Sequence, residues 1–99
     1  MAKKEDYGVF LHVEFFREGK MFIAYTPSLD LSTCGKTFEE AKRNFKEAVD
    51  IFFEECIKDG TIQDVLESCG WVKSPQNGWR PPVFVGDEDI NVPRAALVK

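Results

Sequence analysis

Ninety-nine residues, 43% of them hydrophobic and nine of them Phe, can build one modest core; a chain of this size buries only about 60–65% of its unfolded surface, so a single domain is expected. Thirteen Lys and Arg against 17 Asp and Glu leave a net charge of −4, which excludes the basic footprint of a general nucleic-acid binder and suits either a basic protein partner or simple solubility. Cys34, Cys56 and Cys69 fit neither a disulfide framework nor a Cys-x-x-Cys metal pair, and read as small buried side chains in a reducing cytoplasm.

The first seven residues are charged and lack a hydrophobic signal run, and no long apolar stretch follows; a soluble, cytoplasmic protein is expected. Residues 9–16 alternate as a strand, with Leu11, Val13 and Phe15 on one side and His12, Glu14 and Phe16 on the other. Glu18-Gly19 supplies a hairpin turn, pairing Phe15 with Phe22 and Val13 with Ala24 on one core face. The opposite face shows Phe16, Met21, Ile23 and Tyr25, too apolar for bare solvent. Phe16, Met21 and Ile23 are therefore expected to be covered, by a second copy in a homodimer or by the C-terminal segment. The 13% aromatic content also favours a dimer.

Pro27 cannot donate to a central ladder, so the chain turns over residues 26–30 before a third short strand at 31–34. Gly35-Lys36 bends into a helix whose start is marked by Thr37 and Glu40 at capping-box spacing, the Glu side chain reaching back to the Thr37 N–H. Ala41, Phe45, Ala48, Val49, Phe52, Phe53 and Cys56 recur every three or four residues and form one apolar stripe for the sheet. Gly60 ends that helix, Thr61 caps a shorter one to about Ser68, and Gly70 closes it. Its buried side is Ile62, Val65, Leu66 and Cys69.

Four of the five prolines lie beyond Ser74, which nearly excludes helix there. Residues 83–85 and 90–92, joined by Gly86-Asp87-Glu88-Asp89, read as a hairpin. The predicted architecture is α+β. An antiparallel β-sheet of three or more strands carries one long helix on one face, with a second short helix and a C-terminal β-hairpin. Residues 1–73 form the β-β-β-α-α core; 74–99 are a Pro-rich segment and hairpin belonging to the same domain or to the dimer interface.

The order apolar-Ala-Tyr-Thr-Pro-x-Leu-Asp (23–30), Ser-Thr-Cys-Gly-Lys-Thr (32–37) and Phe-Glu-Glu-Ala-Lys-x-Asn-x-x-Glu-Ala (38–48) resembles the HicB-like antitoxin family, over about residues 9–71. The resemblance implies a partial ribonuclease-H-like core and a non-catalytic role: binding a small basic HicA-like toxin that cleaves messenger RNA and covering its RNA-binding surface. Many members add a helix-turn-helix or ribbon-helix-helix segment. The Pro-rich tail supplies no second consecutive helix, and only seven residues follow Val92, which leaves DNA binding without an evident element.

Two-metal phosphoryl chemistry needs several carboxylates converging from strand centres. Only Glu14 is predicted mid-strand, with Asp30 at a turn. The sole histidine, His12, has no ligand or triad context, and the acidic run at 87–89 lacks the spacing of a calcium loop. No catalytic residue, metal or cofactor is expected, and the chain reads as a non-enzyme. Tyr25, Pro27 and Leu29, with Asp30, form the expected partner-binding patch, since rigid aromatic and apolar groups lose little entropy on contact. Glu54 and Glu55 add an acidic rim for a basic partner. A stand-alone DNA-binding regulator is the alternative function, and a metal-dependent nuclease a weaker third.

Overall fold

The computed structural model describes residues 8–76 and 78–98; the charged N-terminal stretch at 1–7 lies outside them. Strands β1 (Glu14–Glu18), β2 (Met21–Thr26) and β3 (Leu31–Gly35) form an antiparallel sheet in sequence order. Helix α1 (Phe38–Asp59) lies on one face, α2 (Ile62–Ser68) packs against α1, and β4 (Val72–Ser74) pairs with β5 (Gly78–Arg80) in a separate hairpin. This is the predicted α+β architecture.

The first hairpin turns at Gly19-Lys20 and not at Glu18-Gly19. Gly19 takes φ +62° at the first central position, and Glu18 and Met21 close the ladder. Phe15 consequently faces Ala24, and Arg17 faces Phe22. The predicted pairing was offset from this by two residues. Because side chains alternate with period two, such an offset leaves every side chain on its predicted face. β1 is also shorter than expected: residues 8–13 lie outside the ladder. They are still tied in, since Thr26 Oγ1 donates to the His12 carbonyl at 2.8 Å and Val9 and Leu11 pack on the core.

The 27–30 turn is closed by Asp30 N–H donating to the Pro27 carbonyl, with Asp30 at φ +51°. Asp tolerates this left-handed conformation better than most residues. After β3, Thr37 Oγ1 accepts the Glu40 N–H at 3.0 Å as predicted, but the Glu40 carboxylate accepts from Lys36 N–H, one residue before the expected donor. Gly35 has a tighter reason than the bend: a Cβ there would collide with the backbone of Glu40 and Ala41. Only glycine lets β3 and the first turn of α1 approach this closely.

Both helices end in the same backbone device, a left-handed glycine that redirects two amides onto orphan carbonyls. Gly60 N–H donates to Ile57 O and Thr61 N–H to Cys56 O; likewise Gly70 N–H donates to Glu67 O and Trp71 N–H to Leu66 O. Thr61 does not cap α2 with its side chain; its hydroxyl turns back to Cys56 O at 3.5 Å. The second device also delivers Trp71 onto Leu66.

The core has two parts. Ala24, Ala41 and Phe45 are buried between sheet and α1, flanked by Val13, Phe15, Phe22, Leu31 and Val49. Leu29, Leu66 and Trp71 form the second, flanked by Phe52, Phe53 and Trp79, and Leu31 touches both. Trp71 Nε1–H donates to the Ser28 carbonyl at 2.8 Å, so the indole's polar handle is satisfied inside.

The C-terminal hairpin is displaced from its predicted place. It spans β4 and β5, whereas 83–85 and 90–92 form no ladder and leave Val83, Val85, Ile90 and Val92 exposed. Trp79 explains the shift: it sits in β5 and packs into the second core, which gives 72–80 an anchor that 83–92 lacks. Pro81 and Pro82 then cannot donate to a continuing ladder. Cys34 is a further correction, being exposed; Cys56 is buried, Cys69 half-buried, and all three are free thiols.

Candidate functional site

The side of the sheet turned away from α1 is one continuous surface built from alternate residues of three strands. Cross-strand register sets Phe16 opposite Ile23 and Ile23 opposite Cys34, which makes an apolar row. Glu14 stands opposite Tyr25 and Tyr25 opposite Ser32, which makes a polar row beside it. Met21 closes the apolar end. Phe16 remains 53% exposed, while Met21, Ile23 and Tyr25 are half-buried; the C-terminal segment, one of the two covers expected, does not shield Phe16 within the single chain. The tail meets this surface at one corner, where Phe84 stacks on His12 with centroids 3.8 Å apart.

Charge and hydrogen bonding fix the polar row. Tyr25 Oη donates to Asp30 Oδ1 at 3.1 Å, and His12 Nε2 lies 3.5 Å from Glu14 Oε2. The bond to Asp30 holds the Tyr25 phenol above its ordinary pKa; loss of water and the nearby charges of Asp30 and Glu14 act in the same direction. Tyr25 is therefore a neutral donor, oriented by the very turn that places Asp30 in a left-handed conformation.

The predicted site residues do not all meet. Tyr25 and Asp30 are bonded to each other and share a face with Phe16, Met21 and Ile23. Pro27 is exposed at the end of that face, in the turn after β2. Leu29 is a correction. At 4% exposure it belongs to the second core with Leu66 and Trp71, because the turn that lifts Pro27 outward drops Leu29 inward. It has no surface left to offer a partner. Glu54 and Glu55 are exposed on α1, which covers the opposite side of the sheet, so they are not neighbours of Tyr25.

The sequence reading missed Ser32 and Cys34, which complete the face. The alternation in Leu31-Ser32-Thr33-Cys34-Gly35, buried to exposed, was the signal that could have found them. Among the described residues no group of three or more His, Cys, Asp or Glu side chains is placed to hold a metal ion, and no helix is long and apolar enough to cross a membrane. Comparison with protein families, curated proteins and solved structures returns no significant match for this chain.

Proposed function

We propose that this chain is a non-catalytic binding protein of the HicB-like antitoxin kind, which uses the outer sheet face to cover a small basic RNA-cleaving protein. The observation that carries the reading is the apolar row of Phe16, Ile23 and Cys34, exposed at Phe16 and Cys34 and half-buried at Ile23, set beside the acidic groups Glu14 and Asp30. An apolar centre with a rim of one charge is what a partner of opposite charge recognises: the apolar part supplies affinity, and the charges supply orientation and association rate. Tyr25 is well suited to be the anchor, since its hydrogen bond to Asp30 already restricts the ring.

The sequence reading divides this face between self-association (Phe16, Met21, Ile23) and partner binding (Tyr25, Asp30). The register makes these adjacent rows of one surface, so a copy docked on the first would obstruct the second. We assign the whole face to the partner. Glu54 and Glu55 lie outside it and contribute only to the long-range field.

The test is calorimetric titration against a small basic protein encoded beside this chain's gene, together with an RNA-cleavage assay of that protein. Binding is expected to inhibit cleavage, to weaken as salt rises, and to fall more for Tyr25→Ala or Phe16→Asp than for Glu54→Gln. Binding that survives both outer-face substitutions, or no binding by any adjacent basic protein, overturns the assignment.

A further inference from the structure

We infer that the C-terminal tail of one copy lies in the groove between β1 and α1 of a second copy, so that the chain forms a dimer by reciprocal tail exchange. Two features that stand open among the described residues fit one another. The first is the groove. Helix α1 packs mainly over β3 and β2, which leaves the helix side of β1 half-covered, with Val13 and Phe15 partly buried and Phe15 against Phe38. The result is an open cleft of about 740 Å³ whose apolar floor includes Val13, Phe15, Phe45 and Val49. Its helix rim carries Lys42, Arg43 and Lys46, with Lys42 lying 3.8 Å from Glu39 and Lys46 bonded to Asp50 at 3.1 Å, so the rim keeps a net positive charge.

The second feature is the tail. Residues 85–98 are exposed throughout, among them Val85 at 93% and Ile90 at 76%. The chain measures 52 Å in its longest direction, with a radius of gyration of 16.6 Å, where a compact domain of this length has about 13 Å. A segment rich in Val, Ile and Leu, irregular up to a single 3-10 turn at Arg94–Ala96, is a large apolar surface for so small a protein. It also carries Asp87, Glu88 and Asp89 in succession, opposite in sign to the groove's rim. Apolar floor meets apolar side chains, and the tail's three acids meet a rim whose charge is positive in sum.

A second copy is the occupant because the chain's own tail is directed elsewhere. Phe84 is held on His12, with Val83 and Val85 beside Pro27 and Ser28, and the residues from 85 onward are exposed. Exchange about a two-fold axis fills both grooves and covers both tails at once, which is the closed arrangement a self-complementary pair favours. It also leaves the outer face, with Phe16 and Tyr25, free. The inference does not depend on which partner that face takes.

Sedimentation of the full chain over nanomolar to high micromolar concentrations tests it. The wild type is expected to dimerise. Ile90→Asp with Val92→Asp is expected to weaken the dimer by about tenfold or more, as is Lys42→Glu with Arg43→Glu and Lys46→Glu. All of these residues are exposed in the single chain, so circular dichroism of the monomers should be unchanged. Combining the rim reversals with Asp87→Lys, Glu88→Lys and Asp89→Lys in one chain should restore dimerisation. A wild type that stays monomeric throughout overturns the proposal, since the tail is then unpaired or in its own groove. A dimer indifferent to the tail and rim variants but abolished by Phe16→Asp overturns it equally, by placing self-association on the outer face.

Discussion

Replacing Leu29 with alanine separates a core residue from an interface residue at a turn where sequence alone assigns both to the surface. Leu29 is 4% exposed and packs with Leu66 and Trp71. Truncation removes most of a buried leucine, worth about 1.5–3 kcal/mol in transfer alone, and leaves a cavity against the rigid indole; core Leu→Ala changes cost about 2–5 kcal/mol. A loss of about 3 kcal/mol is expected here, since the Trp71 indole is fixed by its bond to Ser28 and cannot collapse freely into the gap. Total stability for a domain of this size is about 5–15 kcal/mol, so the change removes a large share of it and lowers Tm by roughly 12–24 °C. Thermal and urea unfolding followed by far-ultraviolet circular dichroism measure it, with Glu54→Ala as a surface control expected within about 0.5 kcal/mol of wild type. Tyr25→Ala should cost clearly less stability than Leu29→Ala while costing more partner affinity than Glu54→Ala. If Leu29→Ala unfolds within about 1 kcal/mol of wild type, the second core is not built as described and Leu29 returns to the interface.

Gly35→Ala should destabilise by about 1–3 kcal/mol or more, because its Cβ meets backbone of Glu40 and Ala41 that cannot swing away; a neutral result in urea unfolding would show that the strand and helix separate easily. Trp71→Phe keeps an aromatic in the second core but leaves the Ser28 carbonyl without its donor, at an expected cost of about 1–3 kcal/mol, and equal stability to wild type would mean that this bond adds nothing. Tyr25 should ionise above the ordinary tyrosine value, because Asp30 accepts its proton's hydrogen bond. With the folded pKa raised, the associated stability is present at neutral pH, below the unfolded value of about 10, and is lost as pH climbs through the folded value. Phenolate absorbance should show Asp30→Asn moving this titration downward; an unmoved curve removes Asp30 as the cause.

Much of the local structure was written in short-range chemistry. Alternation in 13–16 and 21–25 reported which side chains face α1, and it survived a wrong turn position because a two-residue offset preserves faces. Thr37 at the start of α1 and Gly60 at its end are local devices that need no tertiary partner, and both are where the sequence placed them. The outer face was legible for the same reason, through Phe16, Ile23 and Tyr25. What the sequence could not decide depended on residues distant along the chain. Leu29 reads as a surface turn residue until Trp71 and Leu66 are brought beside it. The hairpin formed at 72–80 and not at 83–92 because Trp79 reaches the second core, although 83–92 has the stronger β-forming composition. Gly35 reads as a bend until the first turn of α1 is laid against it. Local patterning sets each segment's conformation and its apolar face; burial, which is a property of the whole packing, selects the segments that become core and those that stay open to a partner.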